Sequence, residues 1–567
     1  MLPYTPHMDR RVALVLLAVL GTGVFLAGLE LMITAVALPA IIVDLGSWTD
    51  LRHASWIVNV YLLVYVATMP LAGRLSDLWG ARRLFLGALV CFTVGSALAG
   101  MAQSLDQLIA ARAVQAVGGG ALVPVATAAA SHLFEGHERP RAIGVIGALT
   151  FLGMAAGPFL GAAILDSIRP EAALIRLGLL GTPAADFLAP AWRYVFYVNV
   201  PIGIAAFVVG WAATAGWDTP RSRARVDIAG ALLFSVSLGA ILLGVTILGE
   251  QAGEGAGRGP DPATVSLVLL GVGIASGVAA VIAGLRRRDP FLDPRLFADR
   301  VFSSAALVSL LTGYAFATAI VGTAVFVDRV LYGGPDDQQT ALGALAGATA
   351  IGALLSGWLV RRWSLRVVTA LGLGLSVTGL LWMGTWTADV TYPVIAAAGG
   401  VFGLGFGLTV TPRSTAAVEA VGRARFGAAS ATVTVARMIG MAVGLAVLTA
   451  YGSTTIDRLS AQVFGSPDAY RDVVPPALAD RPLRDPLVVD ALEAWAAQKA
   501  AETMVGLFLV AAGVTAAAIP AGLALGVRPR MLRDETAGGG AAAGAGGADG
   551  DGAGTGPGGE PEPTLAL

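Results

Sequence analysis

One acidic residue, Glu30, lies near the middle of the first long apolar run of the chain, residues 12–43. A carboxylate in hydrocarbon costs several kcal/mol unless it is paired, hydrated or protonated. Burial favours the neutral acid and a nearby arginine favours the carboxylate, so a group balanced between the two can bind and release a proton. The residue type and its position therefore predict proton coupling at Glu30. The alternative is a neutral, hydrogen-bonded glutamic acid with a structural role.

Two arginines, Arg112 and Arg437, lie inside later apolar runs. Arginine does not lose its charge in proteins, so each side chain should face the protein interior and have a partner there. Arg112 starts within a turn or two of the depth of Glu30, which predicts that these two residues pair. Arg437 would hold an anionic group in a cavity, or tune Glu30 across the interface between two halves. For both arginines the alternative is a structural role, with hydrogen bonds to backbone carbonyl groups.

The short loop between the second and third apolar runs is predicted to be a conformational gate. It contains Gly73, Asp77, Gly80, Arg82 and Arg83. Glycine permits a tight turn and a close approach of helices. Asp77 lies near a helix end, where it can accept hydrogen bonds from backbone donors or pair with an arginine. Such a contact would hold one conformation closed and break in another. The alternative is a positively charged loop with a capping aspartate.

The fifth apolar run carries glycines at every fourth position, Gly153, Gly157 and Gly161, with Pro158 among them. This spacing places the three glycines on one helix face, which lets a neighbouring helix approach closely. The proline predicts a kink. The pattern as a whole predicts tight helix packing.

Aromatic and amide side chains inside the apolar runs could line a cavity for an apolar substrate. The candidates are Asn59, Tyr61, Tyr65, Tyr314, Phe316 and Trp382. Aromatic side chains are also common in interfacial belts and on lipid-facing surfaces, which is the alternative for each of them.

No pattern of metal ligands or nucleotide-binding residues accompanies these groups. The four histidines lack metal-site spacing, and the chain has a single cysteine, Cys91. The glycines at 118–120 are not followed by the Gly-Lys-Ser/Thr of a phosphate loop. An intramembrane enzyme would need clustered acidic or histidine residues inside the spans, which the sequence does not show. The net charge of −1 gives no indication of a nucleic-acid partner. We therefore expect no metal, cofactor, nucleic-acid partner or enzymatic activity.

The elements that must position these residues are membrane-spanning helices. Of the 567 residues, 56% are hydrophobic and 13% are charged, whereas about 25% of a soluble domain is charged. The apolar residues cluster in runs of about 20, the length of a helix that crosses a hydrocarbon core, and barrel strands would be shorter and alternating. The sequence predicts an all-α integral membrane protein with fourteen spans. They are 12–43, 54–74, 84–102, 107–131, 140–165, 194–214, 227–248, 264–285, 301–327, 340–360, 367–387, 392–413, 427–451 and 503–527.

An internal repeat relates the two ends of this array. Residues 73–82 and 357–366 share Gly, Leu, Trp and Arg at equivalent positions, and glycines of the fifth and thirteenth runs recur at nearly the same spacing. Two six-helix halves around a midplane site form a transporter architecture. The predicted organisation is an N-terminal half, two inserted helices, a C-terminal half and a disordered cytoplasmic tail. Their limits are 1–214, 215–300, 301–527 and 528–567.

The placement of basic residues predicts the orientation. Most of the 37 Lys and Arg residues lie in short loops on one side of the predicted spans, and Arg413 is assigned to that side as the end of the twelfth run. Short loops rich in Lys and Arg lie in the cytoplasm. Both termini are therefore predicted to be cytoplasmic.

Two predicted outer segments are unusually long. Residues 166–191 are apolar but too short and too interrupted to cross a bilayer, which suits the outer headgroup boundary. Residues 452–503, an outer loop, begin polar and proline-marked and then predict a short amphipathic helix near 487–502. The two segments could guide a lipid or dock a lipoprotein, and an inert insertion is the alternative.

These motifs resemble those of the major facilitator superfamily, and within it the fourteen-span drug:proton antiporter family. That family usually has aspartate where Glu30 stands. The similar segments are 29–39, 73–83, 112–118, 153–161 and 192–203. The resemblance implies a two-half fold and export by proton antiport. It also implies that the glycine face of the fifth run limits leak and biases the cycle toward export.

A narrower resemblance is to actinobacterial exporters of lipids and drugs that work with a periplasmic lipoprotein and are implicated in triacylglyceride export. It rests on residues 55–58, 61–63, 69–71 and 436–441. The sequence as a whole predicts a secondary exporter of small amphipathic compounds in a bacterial cytoplasmic membrane, in contact with membrane lipids and driven by protons. The alternative is a lipid exporter or flippase that works with an outer-face lipoprotein.

Overall fold

The computed structural model describes most of the chain. The described residues are 9–45, 51–135, 138–176, 178, 182–214, 219, 227–250, 262–287, 290, 293–421, 425–464 and 469–526. The tail that is predicted to be disordered, 528–567, lies outside the described residues.

All regular structure in these residues is helical. The N-terminal half consists of α1 (Arg10–Leu45), α2 (Leu51–Trp79), α3 (Ala81–Met101), α4 (Leu105–Leu133), α5 (Arg139–Ser167), α6 (Pro170–Arg176), α7 (Pro183–Leu188), α8 (Arg193–Tyr197) and α9 (Asn199–Ala213). The inserted helices are α10 (Ile228–Glu250) and α11 (Pro262–Arg286). The C-terminal half consists of α12 (Arg300–Arg329), α13 (Pro335–Leu359), α14 (Leu365–Met383), α15 (Tyr392–Glu419), α16 (Phe426–Phe464), α17 (Pro486–Ala517) and α18 (Ile519–Ala524).

The predicted all-α membrane fold is confirmed. Within the described residues, 13 helical stretches are long and apolar enough to cross a membrane, and each falls on a predicted run. Helix α10 occupies the place of the seventh predicted run and packs along α11.

The two halves share one packing pattern. In the N-terminal half α1 packs on α5, and α4 packs on both α2 and α3. In the C-terminal half α12 packs on α16, and α15 packs on both α13 and α14. The halves meet along α2 with α16 and along α5 with α13, two pairs that the internal repeat relates to each other. This is the two-half architecture that the repeat predicts.

The sixth span is interrupted where the sequence contains a proline. Helix α8 ends at Tyr197 and α9 begins at Asn199, with a turn residue between them. Pro201 has no amide hydrogen to donate to the carbonyl of Tyr197, so the regular hydrogen-bond ladder cannot continue through this point. The interruption places an amide side chain at the start of α9, which packs beside α1.

The prediction of a separate amphipathic helix near 487–502 is wrong. Helix α16 continues through 39 residues to Phe464, and α17 continues from Pro486 to Ala517 without a break. The residues from Ala496 to Met504 are mostly good helix formers and include no proline or glycine, so nothing ends the helix before the last span begins.

The outer ends of α16 and α17 form a small apolar core of their own. We call residues 449–464 and 469–502 the outer extension. Val463, Tyr470, Val474 and Val488 are buried in it. Asp485 caps α17, and the hydrogen bond from the Leu487 amide, at 3.0 Å, lowers the pKa of the Asp485 carboxyl below its ordinary value. The predicted outer loop is therefore largely helical and packed.

Candidate functional site

The structure brings Glu30 and Arg112 together as a buried ion pair between α1 and α4. The Glu30 side chain is 0% exposed and that of Arg112 is 1% exposed. Two further groups donate to the carboxylate: the Thr34 hydroxyl to Oε1 at 3.0 Å, and the Asn199 amide to Oε2 at 2.7 Å. The pairing that the depths of the two residues predict is therefore present, and Arg112, Thr34 and Asn199 all donate to the Glu30 carboxylate.

Arg112 is held by several acceptors besides Glu30. Its Nη1 donates to Oε1 of Gln115 at 2.6 Å, and its Nε donates to the carbonyl of Ile57 at 3.3 Å. Gln115 in turn donates to the Ser96 hydroxyl at 2.6 Å. The network thus connects α1, α2, α3, α4 and α9, and it fixes the guanidinium in one position.

Sequence reasoning missed three members of this network. Thr34 lies four positions after Glu30, and Gln115 lies three positions after Arg112, so both spacings place the side chains on the same helix face. These two could have been found from the spacing. Asn199 belongs to a segment that carries the family resemblance, but its contact with Glu30 joins residues 169 positions apart.

The predicted cavity tyrosines of α2 lie against this network. The rings of Tyr61 and Tyr65 stack at 5.6 Å, and the Arg112 guanidinium lies 4.0 Å from the centre of the Tyr61 ring. Both hydroxyls are buried without a hydrogen-bond partner among the described residues. A Cβ atom on Gly119 would lie 2.6 Å from the Tyr61 hydroxyl, so this glycine is needed for packing.

The other predicted lining residues lie elsewhere. Asn59 is half-buried, and Phe316 is buried in the core of the C-terminal half. Tyr314 is buried, and its backbone packs against Gly444. Trp382 is exposed on α14. Substrate contact by any of these residues stays a prediction.

A second basic group lies at the interface between the halves, and one of its members corrects the sequence analysis. Arg437 in α16 is 8% exposed, and its guanidinium lies 5.4 Å from the Phe151 ring. Arg413 is predicted as the last, cytoplasmic residue of the twelfth span, but it lies inside α15, is 2% exposed, and donates to the Thr312 hydroxyl at 2.6 Å. Helix α15 continues beyond the predicted end of the run to Glu419, because the residues from Thr415 to Val418 are buried by protein contacts rather than by lipid.

Arg437 makes no ion pair with Glu30 within the part of the chain that the structure describes. It lies near Tyr65 and acts electrostatically on that hydroxyl. Tyr65 stacks on Tyr61, which lies against Arg112. The two stacked tyrosines therefore lie between the basic group of the C-terminal half and the ion pair of the N-terminal half.

The predicted gate residue Asp77 joins the two halves. Its carboxylate accepts hydrogen bonds from the backbone amides of Gly427 at 2.7 Å and Ala428 at 2.9 Å, in the first turn of α16. A Cβ atom on Gly73 would lie against the Gly427 carbonyl oxygen, and a Cβ on Gly427 would lie against Gly73 in the same way. Glycine is therefore required on both helices for α2 and α16 to meet here.

The arginines of the predicted gate do not pair with Asp77 in this structure. Arg82 donates from Nε to the Thr214 hydroxyl at 2.7 Å and so fastens the start of α3 to the end of α9. Arg83 is exposed. Gly80 has a φ angle of 92° between α2 and α3, a conformation that favours glycine. The sequence allows either backbone amides or an arginine as the partner of Asp77. In the structure, backbone amides of α16 donate to its carboxylate.

The glycine face of α5 packs directly beside Glu30. A Cβ atom on Gly153 would lie against the Phe25 carbonyl oxygen, one on Gly157 would lie 3.0 Å from the Ile33 amide nitrogen, and one on Gly161 would lie 3.2 Å from the Ile33 side chain. Pro158 lines a small apolar cavity between α5 and the C-terminal half. The predicted tight packing of this face is present, and it fixes α1 at the depth of the ion pair.

An apolar groove lies at the outer end of the C-terminal half. It has a volume of about 800 Å³ and lies between α12, α16 and α17. Its walls include Leu459, Val463, Leu492, Trp495 and Met504. The groove is large enough to bury acyl chains or an apolar side chain of another protein.

Two similar six-helix halves, with charged residues buried where they meet and a polar contact that closes one face, define a membrane transporter. A model of the Major Facilitator Superfamily matches residues 20–445 of the chain. The chain therefore belongs to the major facilitator superfamily.

Relatives with assigned transport functions cover most of this chain. It is 32% identical over 473 residues to a triacylglyceride transporter of Mycolicibacterium hassiacum, which covers 82% of each chain. It is 32% identical over 477 residues to a triacylglyceride transporter of Mycobacterium tuberculosis strain H37Rv, which covers 80% of this chain and 84% of the relative.

Solved structures of low sequence identity share the fold. A bacterial homologue of the human lysosomal transporter Spinster, in an inward-facing and unoccupied conformation, has a TM-score of 0.54 at 17% identity, over 92% of this chain and 100% of that one. The proton:xylose symporter XylE has a TM-score of 0.52 at 12% identity, over 89% of this chain and 95% of that one.

Proposed function

We propose that the protein exports amphipathic, lipid-like compounds across a bacterial cytoplasmic membrane in exchange for protons, with Glu30 as the proton-carrying group. The observation that carries the proposal is the buried ion pair of Glu30 with Arg112. The names of the two mycobacterial relatives, both triacylglyceride transporters, support a lipid-like substrate.

The network around Glu30 supports two protonation states. When Glu30 is ionised, Arg112, Thr34 and Asn199 all donate to it. When Glu30 is protonated, the attraction of Arg112 for it falls, and Arg112 keeps Gln115 and the Ile57 carbonyl as acceptors. Protonation therefore weakens the attachment of α1 to α4, and the hydrogen bonds to Gln115 and Ile57 reduce, but do not remove, the cost of leaving the buried Arg112 charge without a carboxylate.

The contact between Asp77 and α16 supports alternating access as the transport cycle. It closes the two halves at the face that holds the loop between α2 and α3, the predicted cytoplasmic face. Opening that face breaks two charge-assisted hydrogen bonds, and the cycle therefore requires compensation from substrate or proton binding.

A second candidate function is lipid export or flipping in partnership with an outer-face lipoprotein. The apolar groove of the outer extension favours it. An acyl chain would bury apolar surface there, whereas a hydrophilic drug would gain little from the same surface. The apolar segment 166–191, on the same predicted side, is compatible with this candidate.

Proteoliposomes with an imposed pH gradient test the proposed function. We expect an amphipathic dye and a labelled triacylglyceride to move in the direction opposite to the downhill flow of protons. We expect a protonophore to abolish that movement. Equal rates with and without the gradient would contradict proton antiport. A soluble outer-face lipoprotein that accelerates lipid movement but not dye movement would favour the second candidate.

A further inference from the structure

Arg413 and Arg437 are buried without an acidic partner among the described residues. Arg413 has the Thr312 hydroxyl as an acceptor. The Nε atom of Arg437 is buried and has no hydrogen-bond partner within the described residues. Burying a cation costs several kcal/mol unless an opposite charge accompanies it. The pair of arginines therefore lacks an anion.

Both arginines line one cavity between α4, α5, α15 and α16, with a volume of about 30 Å³. None of the described residues that line it is acidic. The hydroxyls of Thr127, Thr150 and Thr434 also line it, but each donates to a carbonyl of its own helix. The guanidinium groups, together with the Ser414 hydroxyl, are therefore the donors that remain for a ligand. The cavity lies between the two halves, where two-half transporters bind their substrates.

Aromatic rings offset only part of the cost of these charges. The Arg437 guanidinium lies 5.4 Å from the Phe151 ring, and the Arg413 guanidinium lies 5.1 Å from the Phe406 ring. Each such contact is weaker than an ion pair, and the two cations repel each other across the cavity. A small anion between them would relieve both costs.

An apolar cavity adjoins this basic one. It has a volume of about 40 Å³ and is lined by Met154, Phe159, Phe316 and Ile320. Phe151 lines both cavities. Both cavities are small in this conformation, so a whole amphiphile would enter only when the two halves separate, and it is the lining that distinguishes them: the basic cavity suits the oxygen atoms of an acidic headgroup. The neighbouring cavity has the chemistry that a chain needs.

We propose that the basic cavity binds the anionic headgroup of the exported amphiphile, a carboxylate or a phosphate, between Arg413 and Arg437, with the first carbons of its hydrocarbon chain past Phe151 in the apolar cavity, both cavities widening when the halves separate. The proposal rests on the proposed export function, because it names the chemical class of that substrate. It assigns acidic lipids to this site in preference to neutral ones.

Binding to the purified full-length protein in nonionic detergent tests this proposal. The probes are radiolabelled oleate, oleoyl lysophosphatidate and the uncharged methyl oleate. We expect either acidic probe to bind at least about tenfold more tightly than methyl oleate, the equivalent of one charge-assisted hydrogen bond. Comparison of the two acidic probes distinguishes a carboxylate from a phosphate. Inorganic phosphate is added as a competitor, and we expect weak competition because it lacks the chain.

Charge variants then locate the site. We expect Arg437→Gln and Arg413→Gln to weaken binding of the preferred acidic probe about tenfold and to leave methyl oleate unchanged. Arg437→Lys, which keeps the charge, should retain part of the preference. The matched control is Arg361→Gln, at an exposed arginine, which should change neither affinity. If a Gln variant fails to fold, the wild-type protein still decides, because the preferred acidic probe must raise its unfolding temperature more than methyl oleate does.

Equal affinities for acidic and neutral probes in the wild-type protein would overturn the proposal, and so would an acidic preference that survives both Gln variants. Failure of this site is distinguishable from failure of the proposed function. If the protein transports neutral amphiphiles in a proton-driven way but shows no preference for acidic ones, the proposed headgroup site is refuted and the proposed export function stands. If an acidic probe binds in a way that depends on the two arginines, but no proton-driven transport occurs, the site is supported and proton antiport is contradicted.

Discussion

The Asp77 carboxylate accepts a hydrogen bond from the backbone amide of Gly427 at 2.7 Å, across 350 positions of sequence. The carboxylate lies at the N-terminus of α16, where unpaired amides and the helix dipole favour a negative charge. Because α2 and α16 belong to different halves, one acidic side chain stabilises the closed arrangement of that face.

We predict that Asp77→Asn slows transport more than it weakens substrate binding. Asparagine keeps one acceptor oxygen, and its NH₂ group would face one of the two amide donors. Loss of one charge-assisted bond should change the balance of the access states, and with it turnover, by about tenfold. Initial transport rates, binding affinity and cysteine accessibility from both sides measure this. Asp166→Asn, at an exposed residue, is the control, and unchanged turnover with unchanged accessibility would leave Asp77 a capping role only.

We predict that Glu30→Gln folds and reaches the membrane but loses uphill transport. Glutamine keeps one acceptor oxygen for Thr34 and Arg112, and its NH₂ group can donate to Asn199 if that amide flips to present its unpartnered oxygen, but glutamine cannot exchange a proton. Glu30→Asp should retain part of the activity, since the carboxylate remains. The measurement is pH-driven transport in proteoliposomes with matched protein content, and Glu138→Gln at an exposed glutamate is the control. Undiminished gradient-driven transport by the glutamine variant would refute the assignment.

We predict that Gly153→Ala destabilises the protein and increases proton leak. The added methyl group would meet the Phe25 carbonyl oxygen and push α5 away from α1. Overpacking of this kind costs about 1–3 kcal/mol. Gly347→Ala is the matched control, because nothing lies within 4 Å of a Cβ atom there, and alanine favours helix over glycine. Thermal unfolding and passive proton flux in proteoliposomes compare the two. Equal behaviour would show that the glycine face tolerates a side chain.

We predict that replacement of residues 170–188 by a short Gly/Ser linker separates lipid export from dye efflux. This segment contains α6 and α7, and Leu174 within it is buried. If the segment guides lipids, lipid export should fall while dye efflux continues in the same cells. Equal retention of both activities would make the segment an inert insertion and favour the drug antiporter.

The fold and the ion pair could be predicted from the sequence because their signals are local. Run length defines the spans, and the similar depths of Glu30 and Arg112 predict their contact. Asn199 and Gly427 could not be predicted as partners of Glu30 and Asp77. Those contacts depend on how helices pack, and neither hydropathy nor spacing along one helix records that packing.

Two errors have a common cause. Arg413 was placed at the very end of the twelfth span, and the helix near 487–502 was separated from the fourteenth span, because hydropathy marks where lipid contact ends. Helices α15 and α17 continue beyond those points, since protein contacts and helix-forming residues support them.

Helix α16 connects the Asp77 contact to the outer groove as one proline-free rod. Its 39 residues give a length of about 58 Å at 1.5 Å per residue, roughly twice the ~30 Å hydrocarbon core. Gly427 lies at one end and Val463, a wall of the groove, at the other. Such a rod acts as a lever with the membrane as its fulcrum. If α16 tilts as one rod when Gly427 separates from Asp77, Val463 moves in the opposite direction, and the outer groove moves together with the far face of the membrane.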